Sequence, residues 1–140
     1  MNETRSCFLD TGVFYRSTKT LIDLVEDGYN FVINVVVYYE FINTIENEIN
    51  VARLKKNEKR VEKLLLLKDR FQNLLESLQI SNLPIPLKWE RTQVYYQQMA
   101  EYGMNIGDVL NLATIVHFKI PLLVTTDKDW KRVDYNCLII

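Results

Sequence analysis

The sequence predicts an α/β sandwich whose central, mostly parallel sheet has four to five strands. Three short runs rich in apolar and β-branched residues, at 6–9, 31–37 and 122–125, have the length of buried strands. Stretches of helical spacing separate them, and strands alternating with helices build a parallel sheet covered on both faces. The outer two runs end on acids: Asp10 follows Leu9 at once, and Asp127 and Asp129 follow Thr125 closely. Ligands of open α/β sheets bind beyond the carboxyl ends of the strands. Acids gathered there repel one another and raise each other's pKa unless a cation lies between them. That is the physical case for a metal site.

Strand one covers 6–9. Thr11 or Gly12 opens a helix through about Glu26, with Val13, Phe14, Leu21, Leu24 and Val25 on its apolar side and Gly28 just past its end. The run 31–37, interrupted by Asn34, reads as a central strand covered on both faces. Glu40 falls where that strand gives way to a helix, and Phe41, Ile42, Ile45 and Ile49 keep helical spacing after it. Residues 51–78 read as one long helix or a hairpin of two, a helical insert in which Lys55, Lys59 and Lys63 fall four apart on one face. The apolar turn 64–67 predicts burial or an oligomer contact. Pro84 and Pro86 exclude a normal central strand over 80–87, which leaves a short edge strand at 78–80. A helix over 90–102, packed through Val94, Tyr95, Met99 and Tyr102, is capped by Gly103. Asn105 N-caps the next helix, 106–118, whose buried side uses Val109, Leu110, Leu112, Ala113 and Val116 and whose first turn holds Asp108. A turn at 119–121 leads into the strand at 122–125, and 136–140 forms the last strand.

The 140 residues suffice for one domain, 1–140, with a single core, and the 48% of hydrophobic residues excludes disorder as the main description. No apolar run approaches membrane-spanning length and no signal-peptide pattern is present, so no membrane role is expected. Cys7 and Cys137 each sit in an apolar run and read as small buried hydrophobes, which predicts a reducing, cytoplasmic home. A single histidine, His117, rules out a multi-histidine zinc site; any ion would be held by oxygen, which favours Mg²⁺ or Mn²⁺. Net charge is −1, but residues 51–70 alone carry +5, so the remainder carries −6. A basic element on an acidic domain is a simple way to hold a polyanion beside a metal site.

Four pieces together resemble a known family. They are Phe8, Leu9, Asp10 and Thr11 at the start; Tyr39, Glu40 and Phe41 after strand two; Ile106 to Val109 with Ala113 and Thr114; and Val124 to Trp130. In this order and spacing the chain resembles, over essentially its whole length, a PIN-domain ribonuclease of the small prokaryotic kind that includes the VapC-type toxins. The resemblance implies a PIN-like three-layer α/β/α sandwich. It also implies an acid quartet, Asp10, Glu40, Asp108 and Asp127, with Asp129 sharing the last role. Asp10, Asp108, Asp127 and Asp129 would hold one or two Mg²⁺ or Mn²⁺ ions, and the Thr11 and Thr125 hydroxyls would hydrogen-bond within the site. The implied activity is hydrolysis of RNA to 5′-phosphate and 3′-hydroxyl ends. An antitoxin protein and a second copy of the chain are the implied partners. Trp130 departs from the family's usual phenylalanine, and the stretch 51–78 is long for a small member.

Each acid also has a plain structural use. Asp10 suits a helix N-cap, Asp108 and Glu40 suit the first turn of a helix, and Asp127 and Asp129 suit a turn. Only their joint pattern favours chemistry. Lys55, Lys59, Lys63 and Arg16 are candidate RNA contacts, against the ordinary alternatives of a solvated face and salt bridges. Tyr15 and Tyr39 are candidates for stacking on bases. The competing functions are a metal-dependent endoribonuclease, and a catalytically inactive PIN-like module that binds RNA or assembles complexes. A receiver-like signalling domain also gathers acids around Mg²⁺, but the pattern of the insert fits it poorly.

Overall fold

A computed structural model describes residues 5–86 and 88–140. Leu87, in the stretch expected to be interrupted by prolines, lies outside the described residues. Five strands form one sheet: β1 Arg5–Leu9, β2 Tyr29–Asn34, β3 Ser81–Leu83, β4 Leu122–Thr125 and β5 Cys137–Ile139. The order across it is β3-β2-β1-β4-β5 and every pairing is parallel. Five α-helices join them: α1 Lys19–Glu26, α2 Val35–Leu54, α3 Glu58–Ser77, α4 Trp89–Ala100 and α5 Ile106–His117. Two short 3₁₀ segments, Thr11–Tyr15 and Lys128–Arg132, follow the ends of β1 and β4.

The sheet is covered on both faces. Successive strand residues point to opposite sides, yet Cys7, Phe8 and Leu9 of β1 and all four residues of β4 are buried. These two strands hold the middle of the fold through the register Cys7–Leu122, Phe8–Leu123 and Leu9–Val124. Burial pushes the Cys7 thiol up to about 12, which makes it inert, as expected of a small core residue. Cys137 is half-buried. No helix among the described residues is long and apolar enough to cross a membrane.

Several boundaries differ from the sequence-based expectation. The helix expected from Thr11 to Glu26 is broken: a 3₁₀ turn ends at Tyr15 and α1 begins only at Lys19. Strand two stops at Asn34, and Val35 to Val37 form the first turn of α2. The Asn34 side chain accepts from the Val37 N–H at 3.1 Å, so an N-cap overrides the strand preference of three valines. The stretch 51–78 contains the end of α2, a turn, and α3. The turn uses Lys56 at a φ of 53° and Asn57, which caps α3 through Arg60 N–H. Lys55 therefore ends α2 and does not share a helix face with Lys59 and Lys63 of α3. The edge strand lies at Ser81–Leu83, not at 78–80. On α5 the buried side includes Asn111, Thr114 and Ile115, while Val116 is exposed; Val94 of α4 is exposed too.

α3 returns antiparallel along α2 and closes against the 3₁₀ turn after β1. Phe71 of α3 stacks on Phe41 at 4.0 Å and meets Phe14 edge-on at 4.8 Å. This aromatic cluster fixes the residue after Glu40 against the segment after Asp10. In the apolar turn of α3, Leu64 is buried and Leu67 half-buried, while Leu65 and Leu66 face solvent.

Candidate metal centre

The strand order reverses direction at β1: the chain leaves β1 toward β2 on one side and later returns to β4 on the other. The crevice at such a switch point is where α/β sheets bind ligands. Asp10 ends β1 and Asp127 follows β4, so these two acids flank it. The Asp10 main-chain N–H donates to Val124 O at 2.9 Å, which keeps the two strand ends together beyond the sheet.

Two threonines tie the acids to each other. The Thr11 main-chain N–H donates to Asp10 Oδ1 at 2.8 Å, and its hydroxyl donates to Glu40 Oε2 at 2.9 Å. The Thr125 hydroxyl donates to Asp10 Oδ2 at 2.7 Å and accepts from the Asp127 N–H at 3.1 Å. Asp127 Oδ1 in turn accepts from the Asp129 N–H at 2.9 Å and caps the second 3₁₀ segment. Asp108 closes a capping box with Asn105, each side chain accepting from the other's N–H at 3.1 Å. Asp10, Asp108 and Asp127 thus each perform the cap or turn role that their positions suggest.

The charges of the four acids act on one another, and they repel. Burial, then the charges of Asp10, Asp127 and Glu40, push Asp108 up to about 6 against the pull of the Asn105 N–H. Burial raises Asp10, and the charge of Asp127 adds to this, while Thr125, Thr11 and Trp130 oppose it. Burial raises Glu40, Thr11 opposes, and the charge of Asp10 adds. Asp129 is not among the charges acting on these three. Among the described residues the ion pairs are Arg60–Glu48 at 3.1 Å and Lys68–Glu46 at 3.3 Å, both on the α2–α3 hairpin. Neither cation reaches the quartet.

The donor set fits a hard divalent cation. It is all oxygen, it is negative with no ion-paired cation among the described residues, and it stands at a switch point. Among the described residues Glu40 Oε1, Asp108 Oδ1 and Asp127 Oδ2 accept no hydrogen bond from the protein. As they stand, no three acids, histidines or cysteines among the described residues converge tightly enough to hold an ion by themselves.

Other residues shape the site without being legible as site residues. A Cβ on Gly107 would collide with Glu40 Oε1, and one on Gly12 with the Thr126 hydroxyl. The two glycines let α5 approach α2, and the first 3₁₀ turn approach the loop after β4. Behind the acids, Asn34 Nδ2 donates to Asn111 Oδ1 and to the Thr114 hydroxyl, both at 3.0 Å, pinning the start of α2 to α5. The available signal was polar residues on otherwise buried faces: Asn34 inside an apolar run, Asn111 and Thr114 one turn apart on α5.

The lysine candidates are placed away from the acids. α2 is 20 residues long, about 30 Å, so Lys55 lies at the end remote from Asn34. Lys59 and Lys63 stand on the exposed face near the start of α3. The Arg16 carbonyl accepts from the Arg70 guanidinium, and its side chain is exposed. Tyr39, beside Glu40, is 63% exposed and Tyr15 is 40% exposed. His117 is exposed at the end of α5.

Comparison with known proteins gives a coherent result. A family model described as the PIN domain matches residues 7–136. Comparison with curated protein sequences gave no match. Among solved structures, the chain resembles the crystal structure of VapBC2 from Rickettsia felis bound to a DNA fragment from their promoter. That match has TM-score 0.62 and 15% identity, over 96% of this chain and 98% of that one. It also resembles VapBC-5 from Mycobacterium tuberculosis, a member of the VapBC family of toxin–antitoxin systems. There the TM-score is 0.58 and the identity 17%, over 96% and 97% of the two chains.

Proposed function

The chain belongs to the PIN-domain family, and on that premise we propose that it is a Mg²⁺- or Mn²⁺-dependent endoribonuclease, the toxin of a type II toxin–antitoxin pair. The observation that carries this reading is the quartet itself. Asp10, Glu40, Asp108 and Asp127 lie near the switch point, three of them with pKa values raised by burial and by the charges of other members, and among the described residues no cationic side chain pairs with them. Such a costly cluster favours a site where an ion binds.

Asp10, Asp108 and Asp127 would hold the first ion, with Asp129 flanking the last of them. Glu40 would hold a second ion or orient the attacking water. A divalent ion bound there supplies hydroxide near neutral pH and offsets charge on the phosphate oxygens. The protein's part is to position. Thr11 fixes Glu40, Thr125 fixes Asp10, and the strand ends hold both on rigid elements. Lys59, Lys63, Lys55 and Arg16 would attract the RNA backbone at longer range, and Tyr39 would stack on an unpaired base. The solved VapBC structures support an antitoxin as partner. Exposed Leu65 and Leu66 on α3, and Trp89 on α4, offer apolar contact for it or for a second copy.

One observation favours an alternative, a PIN-like module that binds RNA or assembles complexes without turnover. Three of the four acids already serve as caps, and no three converge tightly as they stand. A panel of single-stranded and hairpin RNAs separates the two readings, incubated with Mg²⁺, Mn²⁺ or EDTA using wild type and Asp10→Asn. Metal-dependent cleavage that vanishes in Asp10→Asn is expected. RNA binding without cleavage under every condition would establish the alternative.

A further inference from the structure

The charged side chains of α3 are sorted by sign around the helix. Lys59, Lys63 and Arg70 fall within roughly 40° of one another at 3.6 residues per turn. Glu58, Glu62, Asp69 and Glu76 form a neighbouring strip about 100° away. The other two cations of the helix, Arg60 and Lys68, are ion-paired with Glu48 and Glu46 of α2. Lys59 and Lys63 are exposed and Arg70 is half-buried, and among the described residues none of the three has an ion-pair partner. Solubility alone does not call for this sorting, since interspersed signs serve it as well. Like charges four apart repel, and α3 sets Lys59 against Lys63 and Glu58 against Glu62.

The basic strip leads toward the acids. At its near end the Arg70 guanidinium donates to the carbonyl of Arg16, just past the 3₁₀ segment that follows Asp10. Phe71, the next residue, stacks on Phe41, the neighbour of Glu40, and meets Phe14 of that same segment. The exposed side chain of Arg16 adds a cation there. Lys59, at the far end, lies about 16 Å from Arg70 along the helix axis. A line of cations on a straight rod matches a chain of regularly spaced negative charges, and a nucleic-acid backbone is such a chain. The acidic strip beside it repels the same backbone and so confines it to one flank.

We propose that the strip Lys59, Lys63 and Arg70 is a backbone track for RNA: it holds phosphates that lie outside the acid quartet, on one side of the bond presented to it. This rests on the reading above that the chain engages RNA, and it stands whether or not the chain cuts that RNA. Phosphates carry no base identity, so the track rewards the length of the strand and its course rather than its sequence.

The test is binding of a fluorescein-labelled, unstructured RNA by fluorescence anisotropy in EDTA, over a range of salt concentrations. Wild type is compared with Asp10→Asn, with Lys59→Glu/Lys63→Glu, and with Arg91→Glu/Lys119→Glu. The last pair reverses two exposed cations off α3 and gives the same net charge. Melting curves establish that each variant is folded. Asp10→Asn is expected to bind at least as well as wild type. Lys59→Glu/Lys63→Glu is expected to bind at least about tenfold more weakly, with a salt dependence shallower by about 1.4 in log–log slope for two lost contacts to a single strand. Arg91→Glu/Lys119→Glu is expected to lose much less. Equal losses in the two double variants would reduce the strip to net charge and overturn the proposal. Unchanged binding by Lys59→Glu/Lys63→Glu would overturn it too, as would failure of wild type to bind, and would leave the strip to an acidic protein surface. Cleavage in Mg²⁺ is read separately. RNA held along the strip but never cut overturns the nuclease reading alone, and cleavage indifferent to the strip overturns this proposal alone.

Discussion

The Thr11 hydroxyl donates to Glu40 Oε2 at 2.9 Å, joining the end of β1 to the second turn of α2. Hydrogen bonds to charged groups contribute about 1.5–3 kcal/mol. Thr11→Val keeps the side chain's volume and removes the donor. It is expected to cut metal-dependent RNA cleavage by about ten- to a hundredfold and to lower stability by at most about 1.5–3 kcal/mol, whereas Thr11→Ser keeps most of both. Steady-state cleavage rates beside melting curves for the two variants check this.

Gly107 supports a separation of stability from activity. Alanine within a helix is more stable than glycine by about 0.5–1 kcal/mol. Here its Cβ would strike Glu40 Oε1. Gly107→Ala is therefore expected to fold with near-normal stability while Glu40 is displaced and cleavage collapses. An inactive variant with an unchanged urea midpoint is the predicted outcome; full activity would mean that Glu40 can serve from another position.

The pH dependence has a definite sign. In the ion-free protein Asp108 is raised from 3.8 to about 6, so between these values the folded chain binds more protons than the unfolded one. Its contribution to stability is complete below the lower value and is lost as pH climbs through the upper one. Asp10 and Glu40, also raised by burial, act in the same direction. In EDTA, the melting temperature of wild type relative to Asp108→Asn should fall as pH rises from about 4 to about 7. Asparagine keeps an acceptor for the Asn105 N–H, so the comparison isolates charge. Mg²⁺ should raise the melting temperature more near pH 7 than near pH 5, because protons compete for the same oxygens. Melting curves across pH, with and without Mg²⁺, measure both.

Asn34 is the structural counterpart. It caps α2 through Val37 and donates to Asn111 and Thr114 while wholly buried. Asn34→Ala removes a cap and leaves buried acceptors unmet, which should cost about 2–3 kcal/mol. Chemical denaturation checks it. A loss below about 0.5 kcal/mol would mean that water replaces the amide without penalty.

The strand ends that carry the candidate acids were legible before any fold was drawn. An acid at or just past the end of a short apolar run marks a strand end, so Asp10 and Asp127 stood out. Asn105 announced the helix that carries Asp108. What was hidden depended on competing local signals. Three valines after Asn34 favour a strand by propensity, and only the capping amide turns them into helix. Nothing in the charge pattern of 51–70 separated Lys55 from Lys59, because the turn between them rests on Lys56 at positive φ. Gly107 and Gly12 matter through neighbours distant in sequence, and no local pattern reports such a neighbour.

The double service of Asp10, Asp108 and Asp127, as caps and as members of the quartet, has an evolutionary consequence. Asparagine caps a helix about as well as aspartate. An aspartate codon becomes an asparagine codon by a single base change. If the proposed activity is right, inert descendants that keep the fold and its surfaces would lie one mutation away at three separate positions. Such a descendant would still fold, and so could compete for whatever engages the intact chain.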